Sequence, residues 1–265
     1  MVPTLSMVFM AISAIVSIGL PIALGIIWHK RTGAKASSLF IGAAAFVVFA
    51  MILENICHRL VLYGSGSCSA FMQSNLWAYG LYGALAAGVF EETGRLCAFK
   101  LLFKKKDDRC ESVMYGIGHG GVEAVLVSGL TMISYLVLSV IINVSGGMAG
   151  LTALGMGESQ TSALIAAFTG TNPFMYLVSG IERIIAIAFH ISMSVLVFAA
   201  VKQKGRGWYY PLAIGLHALL DLGAMAYQTG VIKSIIATEG YVLVFTALCV
   251  LLAVKVYRGM TPKLE

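Results

Sequence analysis

The chain has 265 residues, of which 59% are hydrophobic and only 11% are charged, and its mean hydropathy is +0.89. A soluble globular domain carries about 25% charged residues, so the composition excludes an ordinary soluble protein and predicts a polytopic helical membrane protein. The net charge of +6 comes from basic residues in short loops between apolar segments, and no aromatic–basic motif accompanies them. We therefore expect no nucleic-acid binding.

Seven apolar segments are long enough to span a bilayer, and we expect an all-α bundle of about seven transmembrane helices. No Lys or Arg precedes the first segment, whereas Lys30 and Arg31 follow it, so it is predicted to be a retained span and not a secretory signal. No loop is long enough for a second domain, which predicts a single domain over residues 1–265. The predicted spans are 5–28, 37–63, 74–102, 112–142, 173–201, 208–229 and 239–257.

The distribution of basic residues favours one orientation of this bundle. Fourteen of the 18 Lys and Arg lie in four stretches that follow the first, third, fifth and seventh spans. The other connecting segments contain only Lys233, and the longest of them, 144–172, is predicted to hold a short interfacial helix at 158–168. Because basic loops remain in the cytoplasm, we expect the N-terminus outside and the C-terminus in the cytoplasm. The basic stretches are 29–35, 100–109, 202–206 and the tail with Lys255, Arg258 and Lys263.

The third span contains three charged residues, Glu91, Glu92 and Arg95. Charge inside a membrane costs at least a few kcal/mol per group, so such residues normally serve a buried polar site. Successive helical residues point about 100° apart, so at most one of the two carboxylates can aim at a given centre. One Glu is expected to be a general base for water, while Arg95 balances the other. The alternative is an ion pair whose Arg95 reaches toward the cytoplasm.

Three later spans each contain imidazole groups that could meet these carboxylates. His119 lies four residues before Glu123, so the two side chains share a helix face, and Glu123 either orients a histidine or forms a structural pair. His190 is the only candidate on its span. It is either a site residue or a histidine that is hydrogen-bonded to a neighbour. His217 and Asp221 form a second i, i+4 pair, for which a functional role is favoured.

The depth of these groups predicts one shared site. At about 1.5 Å per residue, the polar groups of four spans lie roughly 12–20 Å from the cytoplasmic ends of their helices. Such an alignment predicts a water-accessible hydrolytic centre within the bilayer. Gly116, Gly118 and Gly121 lack the preceding strand of a dinucleotide fingerprint and are expected to allow close helix approach. A second polar set near the outer interface is expected to be structural or to shape an outer vestibule: Glu54, His58, Arg59, Glu182 and Arg183.

The charged and imidazole residues form an ordered set of motifs: Glu91-Glu92-x-x-Arg95, Tyr115-x-x-x-His119, His190 and His217-x-x-x-Asp221. This set resembles the YhfC family of intramembrane metalloproteases, which is grouped with the PrsW and CAAX-processing (CPBP) proteases. The resemblance covers about residues 76–225 and implies a catalytic-type core there. It also implies hydrolysis of a peptide bond in a membrane-embedded or membrane-anchored substrate, and we expect a multi-pass protein of a bacterial plasma membrane. Asp221 in place of Asn favours the PrsW and YhfC side.

The resemblance also implies roles for the individual residues. Glu91 or Glu92 would activate water, His119 would assist it or bind a metal, and His217 with Asp221 would bind metal or stabilise the oxyanion. His119, His190 and His217 with a Glu would suit a catalytic Zn²⁺, which is the expectation here. The same groups could instead work without metal, by base catalysis and an oxyanion hole.

Two other classes of function fit the same residues. In a proton-coupled transporter, intramembrane carboxylates and histidines relay protons or bind the transported substrate. Such transporters usually show internal repeats or broken helices, and no repeat is evident in this sequence. In a non-catalytic scaffold, the chain would retain only the fold. Loss of cleavage in Glu91→Gln and Glu92→Gln variants distinguishes the enzyme from both alternatives.

Overall fold

A computed structural model describes residues 1–103 and 108–260. These residues form ten helices and no strand, so the predicted all-α class is confirmed. Lys104, Lys105, Lys106 and Lys263 of the predicted basic stretches lie outside the described residues. The helices are α1 Thr4–Thr32, α2 Ala36–Val61, α3 Ser67–Ser74, α4 Leu76–Leu101, α5 Cys110–Val144, α6 Met148–Ala153, α7 Glu158–Gly170, α8 Pro173–Lys202, α9 Tyr209–Gln228 and α10 Ile235–Arg258.

Five of these helices, α1, α2, α5, α8 and α10, are long and apolar enough to cross a membrane. The protein is therefore an integral, multi-pass membrane protein. Helices α4 and α9 coincide with the predicted spans 74–102 and 208–229, but their polar side chains lower their hydropathy. The seven-span count and the orientation stay predictions.

The apolar helices differ in how much of their surface the protein covers. In α2 and α10 only 17% of the most apolar 18-residue window is buried, against 61% in α8. Large side chains such as Phe40 and Leu251 are left uncovered by protein, as expected for helices that face lipid. Helix α2 also contains a π-helical segment, Val47–Glu54, which the sequence did not predict.

The described residues divide into two compact units. The first comprises Met1–Ile22 and Glu123–Ile184. Its helices are joined by small polar side chains, because the Ser128 hydroxyl bonds both Ser17 Oγ at 3.1 Å and Ser179 Oγ at 3.0 Å. Interhelical hydroxyl bonds of this kind are common where no water competes. Met10, Met132 and Tyr176 are buried in its core.

The second unit comprises Ala23–Val122 and the described part of Ile185–Glu265. Its core is aromatic: the Phe99 ring lies 5.2 Å from Phe198, 5.1 Å from Phe103 and 4.6 Å from Tyr115 between centroids. Edge-to-face and tilted contacts of this kind add stability beyond area burial. The seven predicted site residues other than Glu123 all belong to this unit.

Glycines of α5 allow its backbone to touch two neighbouring helices, as the sequence predicted. A Cβ added at Gly118 would collide with the backbone carbonyl of Leu39 on α2, and one at Gly116 would lie 2.6 Å from Ile191 Cα on α8. Gly42 of α2 faces α5 in turn, because a Cβ there would collide with the Tyr115 carbonyl oxygen. Small residues permit such backbone approach in membrane helices, and they fix the position of His119 in α5.

We expect Gly118→Ala to lower the melting temperature of the purified protein in detergent. The added methyl group must displace the α2 backbone, and overpacking of this kind costs about 1–3 kcal/mol. Gly215→Ala is the matched control, because no atom lies within 4 Å of a Cβ at Gly215. Equal melting temperatures for both variants would contradict the predicted backbone contact.

Candidate active site

Helix α4 places Glu91, Glu92 and Arg95 inside the second unit, where each is at least nine-tenths buried. The helix can approach its neighbour closely because Gly88, one turn before Glu92, faces α9. A Cβ at Gly88 would lie 2.8 Å from the Ile214 carbonyl oxygen and 3.3 Å from Ala218 N. This contact brings His217 of α9 beside the α4 carboxylates.

Arg95 organises one half of the site. Its Nη1 donates to Glu92 Oε1 at 2.5 Å, its Nη2 lies 2.6 Å from His190 Nδ1, and its Nε donates to Ser194 Oγ at 3.3 Å. A guanidinium only donates hydrogen bonds, so His190 Nδ1 is the acceptor and its ring proton resides on Nε2. Arg95 therefore connects α4 to two residues of α8.

Glu92 is the orienting carboxylate of the pair. It is fully buried, and its Oε1 accepts from His217 Nδ1 at 2.7 Å as well as from Arg95. Because a carboxylate only accepts, the Nδ1 atom of His217 carries the proton. A carboxylate bonded to one ring nitrogen fixes the orientation of an imidazole whose other nitrogen acts on a ligand. His217 Nε2 is then directed at Glu91 and Asp221.

Glu91 lies where the three imidazoles meet. Its Oε2 accepts from His119 Nε2 at 2.9 Å and lies 3.7 Å from His190 Nδ1, while its Oε1 lies 3.9 Å from His217 Nε2. The side chain of Arg95 approaches the same Oε2 at 3.7 Å. One carboxylate is thus shared by histidines from α5, α8 and α9.

Asp221 is the most accessible member of the cluster. Its Oδ2 lies 3.6 Å from His217 Nε2, and 30% of its side-chain surface is exposed, against 4% for His217. The predicted i, i+4 relation on α9 therefore gives a direct contact. Asp221 also connects the buried histidine to accessible space.

Aromatic rings pack against the imidazoles. Phe46 meets the edge of His119 at 5.3 Å between ring centroids, and Phe189 meets His217 at 5.2 Å. His119 and His190 lie 5.2 Å apart, and His190 and His217 lie 5.6 Å apart. Apolar walls strengthen the electrostatic interactions between the groups they enclose.

Seven of the eight predicted site residues are brought together in this way, and Glu123 is not among them. Glu123 belongs to the first unit, where its Oε1 accepts from Arg183 Nη1 at 2.7 Å. Arg183 also binds Glu182 at 2.5 Å. Of the two alternatives for Glu123, this geometry supports the structural pair.

Sequence reasoning missed Ser194, which accepts from Arg95 and donates to the His190 carbonyl oxygen at 2.7 Å. Its position, four residues after His190 on an apolar span, was the available signal. It also missed the aromatic rings of Phe46 and Phe189, because apolar residues in a span are indistinguishable from lipid-facing ones without a fold.

Apolar spans and a buried carboxylate–imidazole cluster define the class of protein: an integral membrane protein with a polar centre of metal-ligand type. The chain belongs to the YhfC intramembrane metalloprotease family, whose model matches residues 16–242. It is also 39% identical to the uncharacterized membrane protein YhfC of Bacillus subtilis strain 168. The alignment of 259 residues covers 97% of this chain and 99% of the relative. No solved structure matches the chain significantly. The predicted family is therefore confirmed, whereas the relation to PrsW and CAAX proteases stays a prediction.

We expect Arg95→Met to destabilise the protein strongly. Removal of the guanidinium leaves the Glu92 carboxylate buried without its cation, and breaking a buried pair in this way costs about 3–5 kcal/mol. The double variant Arg95→Met/Glu92→Gln should recover part of the loss, because the uncompensated charge is gone. Thermal melting in detergent measures both effects.

Arg59→Met, at an exposed position of α2, is the control and should melt like the unmodified protein. If the double variant were no more stable than the Arg95 variant alone, the Glu92–Arg95 pair would not be the source of the loss.

Proposed function

We propose that the protein is an intramembrane endopeptidase in which Glu91 activates the attacking water. The observation that supports this role is the position of Glu91, a buried carboxylate shared by three imidazoles. Glu92 is a less suitable base, because its Oε1 is bonded by both Arg95 and His217 and the residue is fully buried. Glu92 and Arg95 are accordingly assigned as positioning residues.

The proposed reaction uses one oxygen of Glu91, Oε1, and the ring of His217. Glu91 Oε1 takes a proton from water as the water oxygen bonds to the peptide carbonyl carbon, and the carbonyl electron pair moves to its oxygen. His217, oriented by Glu92 and paired with Asp221, acts here as the imidazolium, and its Nε2 proton, beside Glu91 Oε1, stabilises the charge that develops on the carbonyl oxygen. Glu91 then returns the proton to the leaving nitrogen as the C–N bond breaks. Atoms and charge balance without a further reactant.

The donor atoms of Glu91, His119 and His190 fit a metal ion. One ligand atom from each lies within 4.8 Å of the others, and all three residues are buried. Two imidazole nitrogens and a carboxylate oxygen are a ligand set that Zn²⁺ prefers, and His217 lies close enough to join or support it. A bound divalent cation supplies Lewis-acid polarisation of the scissile carbonyl.

Some hydrogen bonds of the site must break before its side chains can bind a metal ion. The His119 Nε2 proton now lies between that ring and Glu91 Oε2, and Arg95 occupies the lone pair of His190 Nδ1. Ligation through these atoms therefore needs loss of one proton and release of one Arg95 bond, and metal binding commonly releases protons. His119 Nδ1 is buried without a hydrogen-bond partner, so its ring can be repositioned at little cost in hydrogen bonds.

The proposed substrate is a membrane-embedded or membrane-anchored peptide, and the proposed location of the protein is a bacterial plasma membrane.

We expect Glu91→Gln to abolish cleavage while the protein still folds. New N-termini generated within membrane proteins can be mapped by mass spectrometry in cells that express the unmodified chain or a variant. The general base contributes about 10²–10⁴-fold to the rate, so the neo-termini should fall below detection. Glu158→Gln, at an exposed site in the first unit, is the matched control and should leave them unchanged.

A set of neo-termini that is the same with and without Glu91→Gln would contradict the peptidase. If uptake of a small molecule were lost instead, the transporter alternative would be supported.

We expect the purified protein to contain about one equivalent of Zn²⁺ by elemental analysis, and His119→Ala to remove it. Glu92→Gln should weaken metal binding about 10–100-fold, because the carboxylate only orients His217 and does not reach the ion. His29→Ala, which removes an exposed histidine of α1, is the matched control and should keep the full metal content. Full metal content in His119→Ala would overturn the assigned ligand set.

A further inference from the structure

A cavity of about 270 Å³ lies in the second unit beside the site. It is lined by the end of α2, the first half of α4 and the last third of α9, with His58, Gly83, Ala87, Asp221 and Ala224 among its walls. The proposed reaction uses only Asp221 of this set. The cavity is large enough to hold one or two residues of a peptide beside the reacting groups.

The cavity adjoins the catalytic cluster at Asp221, the member of the cluster that lines it. Asp221 lines it and also contacts His217 at 3.6 Å, and His217 in turn lies 3.9 Å from Glu91. Ala87 lies one helical turn, about 6 Å, before Glu91 on the same helix. The contacts from the cavity to the buried carboxylate therefore run through Asp221 and His217, of which Asp221 is the more exposed.

The helix directions tell which end of the unit the cavity occupies. It is lined by the last residues of α2 and α9 and by the early residues of α4. The basic residues Lys35, Lys100 and Lys202 flank the opposite ends, at the start of α2, the end of α4 and the end of α8. Basic flanks lie in the cytoplasm, so the predicted orientation puts the cavity at the outer end.

His58, which lines the cavity, is held by two polar residues that do not line it, Glu54 and Tyr82. Glu54 is only 8% exposed, although its neighbour Leu53 is 39% exposed, and its Oε1 pairs with His58 Nε2 at 3.2 Å. His58 Nδ1 lies 3.1 Å from the Tyr82 hydroxyl. Glu54 is the last residue of the π segment of α2, and such segments occur frequently at functional sites.

The part of the lining that α4 provides includes three small residues. Gly83, Ala84 and Ala87 present almost no side chain, and a Cβ added at Gly83 would lie 3.9 Å from both the sulfur and the methyl carbon of Met225. A longer side chain at this position would fill the cavity. A wall of this kind suits an extended peptide segment with small or apolar side chains.

We propose that this cavity is the entrance to the site and its substrate subsite, which receives an extended peptide segment from the outer side of the membrane and passes it along Asp221 to Glu91. The identity of the occupant rests on the proposed peptidase function; the route and its sidedness do not. The route is therefore tested by the access of a thiol reagent to the cavity. The occupant is tested by the cleavage of membrane proteins.

Access is measured by thiol labelling in a variant that lacks the five native cysteines. A single Ala224→Cys in the cavity wall is labelled with a cationic, membrane-impermeant methanethiosulfonate reagent added outside intact cells. We expect labelling at least about 10-fold faster than for Leu219→Cys, a 49%-exposed lipid-facing position of the same helix, because thiols react as thiolates and need water. An anionic reagent should be roughly threefold slower, because the Asp221 carboxylate repels it.

Gly83→Leu should slow the labelling of Ala224→Cys about 10-fold, because the side chain fills the cavity. Gly215→Leu is the matched control, because Gly215 is exposed and a Cβ added there meets no neighbouring atom within 4 Å. If the fully cysteine-free chain does not fold, buried Cys110 and Cys249 are retained and only the more accessible Cys57, Cys68 and Cys97 are replaced. Labelling only from the cytoplasmic side, or at the rate of Leu219→Cys, would overturn the route.

The occupant is tested by neo-terminus mapping with the two leucine variants. Gly83→Leu should lose cleavage and keep its metal, whereas Gly215→Leu should keep both. Retained cleavage in Gly83→Leu would overturn the subsite. Labelling needs no catalysis and should persist in Glu91→Gln, so an open route without any cleavage would reject the peptidase alone and leave the entrance intact.

Discussion

The site depends on how charge is balanced around Arg95 in an apolar interior. Glu91 and Glu92 bring two carboxylates, and each lies within ion-pair distance of the one guanidinium that Arg95 brings. Ionised carboxylates in such surroundings need compensating charge, because an unpaired buried charge costs many kcal/mol. A second positive charge must therefore come from a protonated imidazole or from a bound cation. Three histidines directed at Glu91 are the groups that can provide either.

The same arrangement explains why two adjacent glutamates differ in role. Arg95, three residues after Glu92 and four after Glu91, could reach either carboxylate, and helical spacing alone does not decide between them. The His217 ring decides it, because its Nδ1 bonds Glu92 and leaves Nε2 for Glu91. Glu92 thus becomes part of the frame that holds the imidazole, and Glu91 is the group left facing the reaction centre.

Much of the fold was predictable because a bilayer restricts what a sequence can do. Apolar length gave the helices to within a few residues, and the glycines of α5 indicated backbone contact correctly. The depth of the polar residues indicated that Glu91, His119, His190 and His217 lie at one level. The sequence could not give the rotation of each helix about its own axis, and that rotation determines which atoms touch.

Three features of the site depended on helix rotation and were not foreseeable. His190 is held by Arg95, a partner from another helix that no spacing rule connects to it. Glu123 shares a face with His119 by the i, i+4 rule, yet it pairs with Arg183 of the first unit. The π segment of α2 has no sequence signature, and it decides where Glu54 and His58 point.

That π segment separates α2 into two halves with independent registers. The half before it is fixed by the contact of Gly42 with α5, and the half after it carries His58 to Tyr82. Removal of one residue between Val47 and Glu54 would rotate the second half by about 100° relative to the first, while the α5 contact stayed in place. The length of this stretch therefore sets the direction of His58 and Glu54 independently of the helix contacts that position His119.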